Sequence, residues 1–247
     1  MLDADVDLAE EFDLRSRVAA RQAATARVLH AAAGDCDLAP WFEAVGDGPG
    51  LLLLDGVVAA QTRVGDRTAL ELVGAGDLLQ VPGQRGDDLL ERGERWRVLC
   101  ATRFALLDAA FADHVRPWPQ IVGALLRRCG RRTADLDALR AITCQPRLEV
   151  RLVLLLWHLA ARWGRVEPSG IRVTLPLTHQ LLGQLVAAER PSITHALTRL
   201  GHAGLVTGSA GDLHLNGTLE HHLEVLLERP SAARTHSSNG RTATRIA

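Results

Sequence analysis

The sequence predicts an α+β fold, with a β-sandwich or roll in its first half, a long central helix and a winged helix-turn-helix near its end. Three observations carry this. Residues 178–204, THQLLGQLVAAERPSITHALTRLGHAG, hold two short helical patterns joined by a tight turn, and strand, glycine-rich turn and strand follow them. Residues 50–107 contain short apolar runs separated by glycine-containing turns. Residues 120–141 repeat apolar side chains at three- and four-residue steps.

Taken in order, residues 6–33 are rich in alanine and read as helix, through Leu8, Phe12, Val18 and the alanines near 19–26. At Gly50 the pattern changes. Leu51-Leu52-Leu53-Leu54, Asp55-Gly56 and Val57-Val58-Ala59-Ala60 read as a hairpin, since Asp-Gly suits a type I′ turn. A second hairpin turns at Gly65-Asp66 and runs on from Thr68 to Val73, and Gly74-Ala75-Gly76-Asp77 ends it. Residues 80–94 read as a polar loop, and Trp96-Arg97-Val98-Leu99 and Arg103-Phe104-Ala105-Leu106-Leu107 as two more strands.

Helix resumes after Asp108. Pro117 and Pro119 lead into the long helix, whose Val122, Leu125, Cys129, Leu136 and Leu139 form a near-heptad seam interrupted by Arg132. Such a seam suits a second copy of the same helix, or packing on the β-domain. Gln145-Pro146 breaks the run, and residues 147–163 form another helix with Leu148, Leu152, Leu155, Leu156 and Leu159 as its stripe. Gly164 and Pro168-Ser169-Gly170 end it.

The helix pair comes next. Leu181, Leu182, Leu185 and Val186 are the apolar face of the first helix, Ala187-Ala188-Glu189 the turn, and Arg190-Pro191-Ser192 the start of the second. Ile193, Ala196, Leu197 and Leu200 face the core, which leaves Arg190, Ser192, Thr194, His195, Thr198 and Arg199 outside. Leu205-Val206-Thr207, Gly208-Ser209-Ala210-Gly211 and Asp212-Leu213-His214-Leu215 read as a wing. A helix pair of this kind presents its second helix to a DNA major groove; a helical hairpin within any α domain is the plainer reading. The Ser/Thr/Arg-rich end, residues 229–247, reads as disordered.

Charge agrees with a nucleic-acid partner. Residues 1–113 hold 20 Asp and Glu against 11 Arg, a net of −9, and residues 114–247 hold 9 against 17, a net of +8. The start, MLDADVDLAEEFDLRSR, has no apolar signal-peptide core, and the longest apolar run within residues 147–163 is six residues against the ~18 of a membrane span. A cytoplasmic protein without membrane contact is expected. Cys36, Cys100, Cys129 and Cys144 are too far apart for a CxxC metal or redox motif. Catalysis is not expected either. Gly74-Ala75-Gly76 lacks the third glycine and helix start of a dinucleotide site, and no P-loop, HExxH or GxSxG stands in the chain. His179, His195, His202 and His214 are spaced too widely for an i, i+4 metal pair.

This order of parts resembles the Crp/Fnr family of bacterial transcription regulators over roughly residues 40–220. The resemblance rests on Leu54-Asp55-Gly56-Val57 through Gly76-Asp77-Leu78-Leu79, and on Leu175-Pro176-Leu177-Thr178 through Leu205-Val206 with its Gly183-Gln184-Leu185-Val186 centre. It implies an N-terminal β-roll sensor domain (residues 1–113 with the leading helical segment), a long dimerisation helix (114–143) and a C-terminal winged helix-turn-helix domain (144–228). The implied function is a homodimeric regulator that reads palindromic double-stranded DNA, with RNA polymerase as a further partner. A protein-binding scaffold built on the same two modules is the alternative.

The resemblance assigns roles residue by residue. Thr178, Gln180 and Ser192 fall where relatives hold phosphates, and Arg190 where they place a major-groove arginine able to take guanine O6 and N7. Thr194, His195 and Arg199 complete the expected DNA face. Pro191 stands where an acidic residue is frequent and His195 where a second arginine reads bases, so the operator should differ from that of the cyclic-AMP receptor protein. In the sensor, Gly76-Asp77 corresponds to the ribose-binding Gly-Glu pair, with Asp one methylene shorter. For the cyclic phosphate only Arg92 or Arg95 is at hand, with no hydroxyl after either and Glu94 between them. Cyclic AMP is therefore not an expected cofactor, and the effector is left unassigned. No closely spaced N-terminal cysteines exist to hold an Fe–S cluster. His30 and His114 are the histidines available to a haem, although a solitary His is more often surface or core.

Overall fold

A computed structural model describes residues 14–80, 92–209 and 211–228. The expected helix at residues 6–13, most of the polar loop, Ala210 of the wing turn and the C-terminal tail lie outside the described residues. Helix α1 (Leu14–Ala23) is followed by strand β1 (Arg27–Ala31), β2 (Gly34–Cys36), helix α2 (Ala39–Val45), β3 (Gly50–Val64), β4 (Arg67–Gly74), β5 (Leu78–Leu79) and β6 (Arg92–Leu107). One sheet runs in the order β1-β6-β3-β4, with β2 also on β6 and β5 also on β3.

Two readings of this half need correction. Residues 27–31 are not helical. They pair antiparallel with β6, Arg27 opposite Leu106 and Ala31 opposite Thr102. The exposed edge of a long strand offers a ladder of hydrogen bonds that outweighs a weak alanine preference for helix. Asp55-Gly56 is not a turn either, because β3 continues through it as a bulge with register shifts between Leu53 and Val58. Side-chain parity shows why the extra residue is there. Leu51 and Leu53 face the roll interior before the bulge and Val58 does so after it, while Val57 and Ala59 turn outward. The bulge is seated on β6: the Asp55 carboxylate accepts the Arg103 backbone N–H at 3.0 Å and also pairs with its guanidinium. Gly56, at φ 88°, lies so close that a Cβ there would stand 2.1 Å from Thr102 Oγ1. The Gly65-Asp66 hairpin forms as expected, with Val64 opposite Arg67. The two strands expected at 96–107 are one continuous β6.

The interior of the roll is filled by its own side chains. Leu51, Leu53, Val58, Val73, Leu79, Val98, Phe104 and Leu106 pack with Trp41, Phe42 and Trp96, and the Trp41 and Phe104 rings meet edge-on at 5.3 Å. The opposite face of the same strands, including Leu52, Leu54, Ala105 and Leu107, packs on Phe111 and Val115 of helix α3 (Ala109–Val115) and on Ile121, Ala124 and Leu125 of helix α4 (Pro119–Thr143). Asp108 caps α3 by accepting the Phe111 N–H at 2.9 Å.

Leu125 is thus buried against the roll, and Leu136 and Leu139 are half-buried beside strand β4. The five-residue seam does not form one outward face. The large apolar side chains that α4 leaves exposed are Val122 and Leu126, 44% and 66% accessible. Arg132, read as an interruption, bonds through its guanidinium to Glu71 of β4.

Helix α5 (Leu148–Trp163) buries Leu152, Val153, Leu155, Leu156 and Leu159 and leads into strands β7 (Gly164–Glu167) and β8 (Gly170–Val173), a hairpin absent from the sequence reading. Helices α6 (His179–Val186) and α7 (Arg190–His202), strands β9 (Val206–Ser209) and β10 (Asp212–Asn216) and helix α8 (Leu219–Glu228) complete the chain. The second sheet runs β7-β8-β10-β9. The C-terminal core is continuous with the outward face of the roll, since Val57, Ala59, Leu70 and Leu72 lie in one cluster with Leu152, Leu156, Leu182 and Leu185. No described helix is long and apolar enough to cross a membrane.

Candidate nucleic-acid interface

Helix α6 begins where Thr178 caps it: extended backbone at Thr178 lets its hydroxyl accept the Leu181 N–H at 3.2 Å. Its apolar face is fully buried. The chain then doubles back within three residues. Ala187 adopts a left-handed conformation (φ 54°), alone among the described non-glycine residues, and the Ala188 N–H returns to the Gly183 carbonyl at 2.8 Å. A side chain at position 183 could not fit, because its Cβ would lie 2.4 Å from the Ala188 oxygen. Arg151 of α5 holds this turn from behind, donating from Nη1 to the Val186 carbonyl at 2.8 Å and to that of Ala187 at 3.4 Å. Sequence reasoning missed Arg151; the available signal was a lone arginine between Val150 and Leu152 in an otherwise apolar stripe.

Helix α7 follows, with proline in its first turn. Ile193, Ala196 and Leu200 are wholly buried, while Arg190, Pro191, Ser192, Thr194, His195, Thr198 and Arg199 are exposed. The residues expected to touch DNA divide into two groups. Gln180, Arg190, Ser192 and His195 lie exposed at the start of α6 and along the first turns of α7. Thr178, Thr194 and Arg199 have internal partners: Thr178 caps α6, Thr194 Oγ1 meets His179 Nδ1 at 2.9 Å, and Arg199 forms an ion pair with Glu149 of α5. Thr194 and Arg199 thereby fix α7 against its neighbours.

The wing is β9 and β10, with Ser209 opposite Asp212. Arg172 of β8 reaches across to Asp212 in a two-toothed pair, whose hydrogen bond holds the Asp212 carboxyl below the usual carboxylate range. Beneath the sheet, His222 is completely enclosed. Its Nδ1 accepts the Trp157 indole N–H at 3.2 Å, and its Nε2 donates to the Asn216 carbonyl at 2.6 Å. Burial lowers its pKa. Both ring nitrogens are satisfied by the neutral ring.

The expected effector residues do not converge. Gly76 and Asp77 sit beside Leu53, whereas Arg95 pairs with Gln61 and Arg92 with Val64 at the other end of β3. Eight residues along that strand separate Leu53 from Gln61, roughly 25 Å at the usual rise. Asp77 is buried, and its carboxylate accepts the Gly74 N–H at 2.8 Å and pairs with Arg162 Nη1 at 2.7 Å. His30 and His114 are exposed on β1 and α3. Among the described residues no group of three or more His, Cys, Asp or Glu could hold a metal ion.

A helix pair with a buried first helix, an exposed second helix and an adjoining wing defines a winged helix-turn-helix, a class of nucleic-acid-binding module. More particularly, residues 150–216 match the family model of the Crp-like helix-turn-helix domain. The chain is also 33% identical over 98 residues to the CRP-like cAMP-activated global transcriptional regulator of Mycobacterium tuberculosis (strain CDC 1551 / Oshkosh). That stretch covers 38% of this chain and 44% of the relative, so less than half of the curated relative's length is spanned. Among solved structures, a cyclic nucleotide-binding domain containing protein from Listeria monocytogenes EGD-e matches at TM-score 0.62 and 14% identity, covering 86% of this chain and 96% of its own. A CRP/FNR-family transcriptional regulator from Thermus thermophilus matches at TM-score 0.56 and 19% identity, covering 83% and 100%. The architecture is thus that of the Crp/FNR regulators.

Proposed function

We propose that this chain is a transcription regulator that binds palindromic double-stranded DNA as a homodimer, without cyclic AMP as its effector. The observation that carries DNA reading is the outer face of α7, where Arg190, Ser192 and His195 are exposed over a wholly buried Ile193, Ala196 and Leu200. Arg190 opens that helix, the turn from which a recognition helix reaches base edges. Gln180, at the start of α6, is suited to a neighbouring phosphate.

The dimer is supported by Val122 and Leu126, one turn apart on the exposed face of α4. Two recognition helices reading one palindrome need two-fold symmetry, and a long helix with an apolar outer strip can supply the axis.

Activation by cyclic AMP, in the name of the mycobacterial relative, is not carried over. The carboxylate that would meet a ribose is bonded within the protein, and the arginines nearest in sequence to a phosphate role lie far along the strand. Contact with RNA polymerase follows only from the regulator reading, and a cytoplasmic location goes with it. The test is a gel shift on the DNA upstream of the protein's own coding region, with nucleotide omitted. A discrete, competitor-resistant complex is expected, and binding no stronger than to random duplex would refute the reading.

A further inference from the structure

The turn at residues 74–77, between β4 and β5, is gripped by side chains of α4 and α5. Asp77 is 4% exposed and Arg128 3%, both unusual for charged residues. Three residues outside the roll hold the turn. Arg128 of α4 donates to the Gly76 carbonyl at 3.2 Å. Arg162, in the last turn of α5, donates to the Ala75 carbonyl at 2.8 Å and pairs through Nη1 with the Asp77 carboxylate at 2.7 Å. Trp163 lies against Gly74 so closely that a Cβ there would stand 2.9 Å from the indole, and its ring also supports the Arg162 guanidinium at 4.8 Å.

Arg162 and Trp163 lie inside the Crp-like domain, residues 150–216, whereas Asp77 belongs to the roll. The two halves are joined covalently only through α4 and the short break at residues 144–147. The Asp77 carboxylate is buried, the Arg162 guanidinium reaches it from the partly exposed rim, and both partners are also bonded to backbone, which favours one relative position. Any rotation of α5 away from the roll would leave a buried carboxylate uncompensated. The DNA face of α7 is exposed in this position.

We propose that the Asp77–Arg162 pair is a latch that locks the DNA-binding domain onto the roll in its reading position, occupying from within the turn that an external ligand would have to engage. A regulator built this way has its reader set by an internal arginine rather than by a bound effector. The functional half of this inference rests on the regulator reading above; the structural half does not.

Hydrogen exchange on the full-length chain decides the structural half. Arg162→Met removes the cation, and Asp77→Asn removes the charge while keeping an acceptor for the Gly74 N–H. Each is expected to speed exchange about tenfold at residues 74–77, at 144–147 and in the last turn of α5, with the β3–β6 ladder unchanged. The double variant should be no worse than the worse single variant, because the two act through one bond. Wild-type exchange in Arg162→Met, or additive effects in the double variant, would overturn the latch. General speeding that includes the β3–β6 ladder would overturn it as well, since loss of roll stability would then be the cause. If neither wild type nor variants select the upstream duplex, the regulator reading fails while the exchange data still decide the latch. If the wild type does select it, Arg162→Met should bind about tenfold more weakly, and unchanged affinity would overturn the functional half.

Discussion

The turn at residues 74–77 and the first turns of α7 treat their polar groups in opposite ways. At the turn, the Asp77 carboxylate and the carbonyls of Ala75 and Gly76 are all bonded to arginines of the same chain. At α7, Arg190, Ser192 and His195 stand in solvent above an apolar face that is wholly buried. Buried polar groups left unpaired are costly, so a closed site is satisfied from within, whereas an open one is held by its rigid scaffold and left for a partner. The contrast teaches that one fold can leave the polar side chains of one helix open while it closes the polar groups of a turn with its own arginines.

The sharpest way to break the open half is to remove the proposed second copy. Val122→Asp with Leu126→Asp should give monomers by sedimentation and lower operator affinity on the order of a hundredfold, since one half-site then binds alone. Retained dimers in this variant would move the axis elsewhere. Next, Arg190→Ala should cost roughly 1–3 kcal/mol of specific binding and flatten preference at one base per half-site. An equal loss on random DNA would reduce Arg190 to a phosphate contact.

Smaller effects test the scaffold beneath the open face. Arg151→Met removes the donors to the Val186 and Ala187 carbonyls and should lower unfolding stability by about 1–2 kcal/mol, read by urea denaturation. A stability unchanged within error would show that water replaces those bonds without loss. His222 gives the smallest and most selective signal. Its folded pKa is lowered by burial, so its contribution is fully present above the unfolded value of 6.5 and is lost as pH falls below it toward the folded value. Wild-type stability should therefore drop below pH 6.5 more steeply than that of His222→Gln. Parallel curves would show that the ring is protonated in the fold as readily as in the unfolded chain.

The open half was legible in sequence and the closed half was not, for a physical reason. Helix α7 is specified locally, because the spacing of Ile193, Ala196 and Leu200 and the proline at 191 fix which residues face out. The wing was also visible in its glycines. The contacts that organise the rest are non-local. Nothing near Asp77 in sequence announces Arg162, and nothing near Val186 announces Arg151. Asp55-Gly56 carried a hairpin signal that Thr102 and Arg103, almost fifty residues later, converted into a bulge. The strand at residues 27–31 is set by the edge of β6 rather than by its own composition. The seam of α4 left two packings open for the same reason, and Leu125 takes the intramolecular one, against Phe111 and Val115.

The central claim is that the sensing turn is closed from within and the reader is active without a nucleotide. Calorimetry of the full-length protein with cyclic AMP, run beside a gel shift on the upstream duplex with and without it, tests this most directly. The account predicts no saturable binding below roughly millimolar, equivalent to about −4 kcal/mol, and an unchanged DNA complex in both lanes. A micromolar dissociation constant, or a DNA complex that forms only when the nucleotide is present, would contradict it.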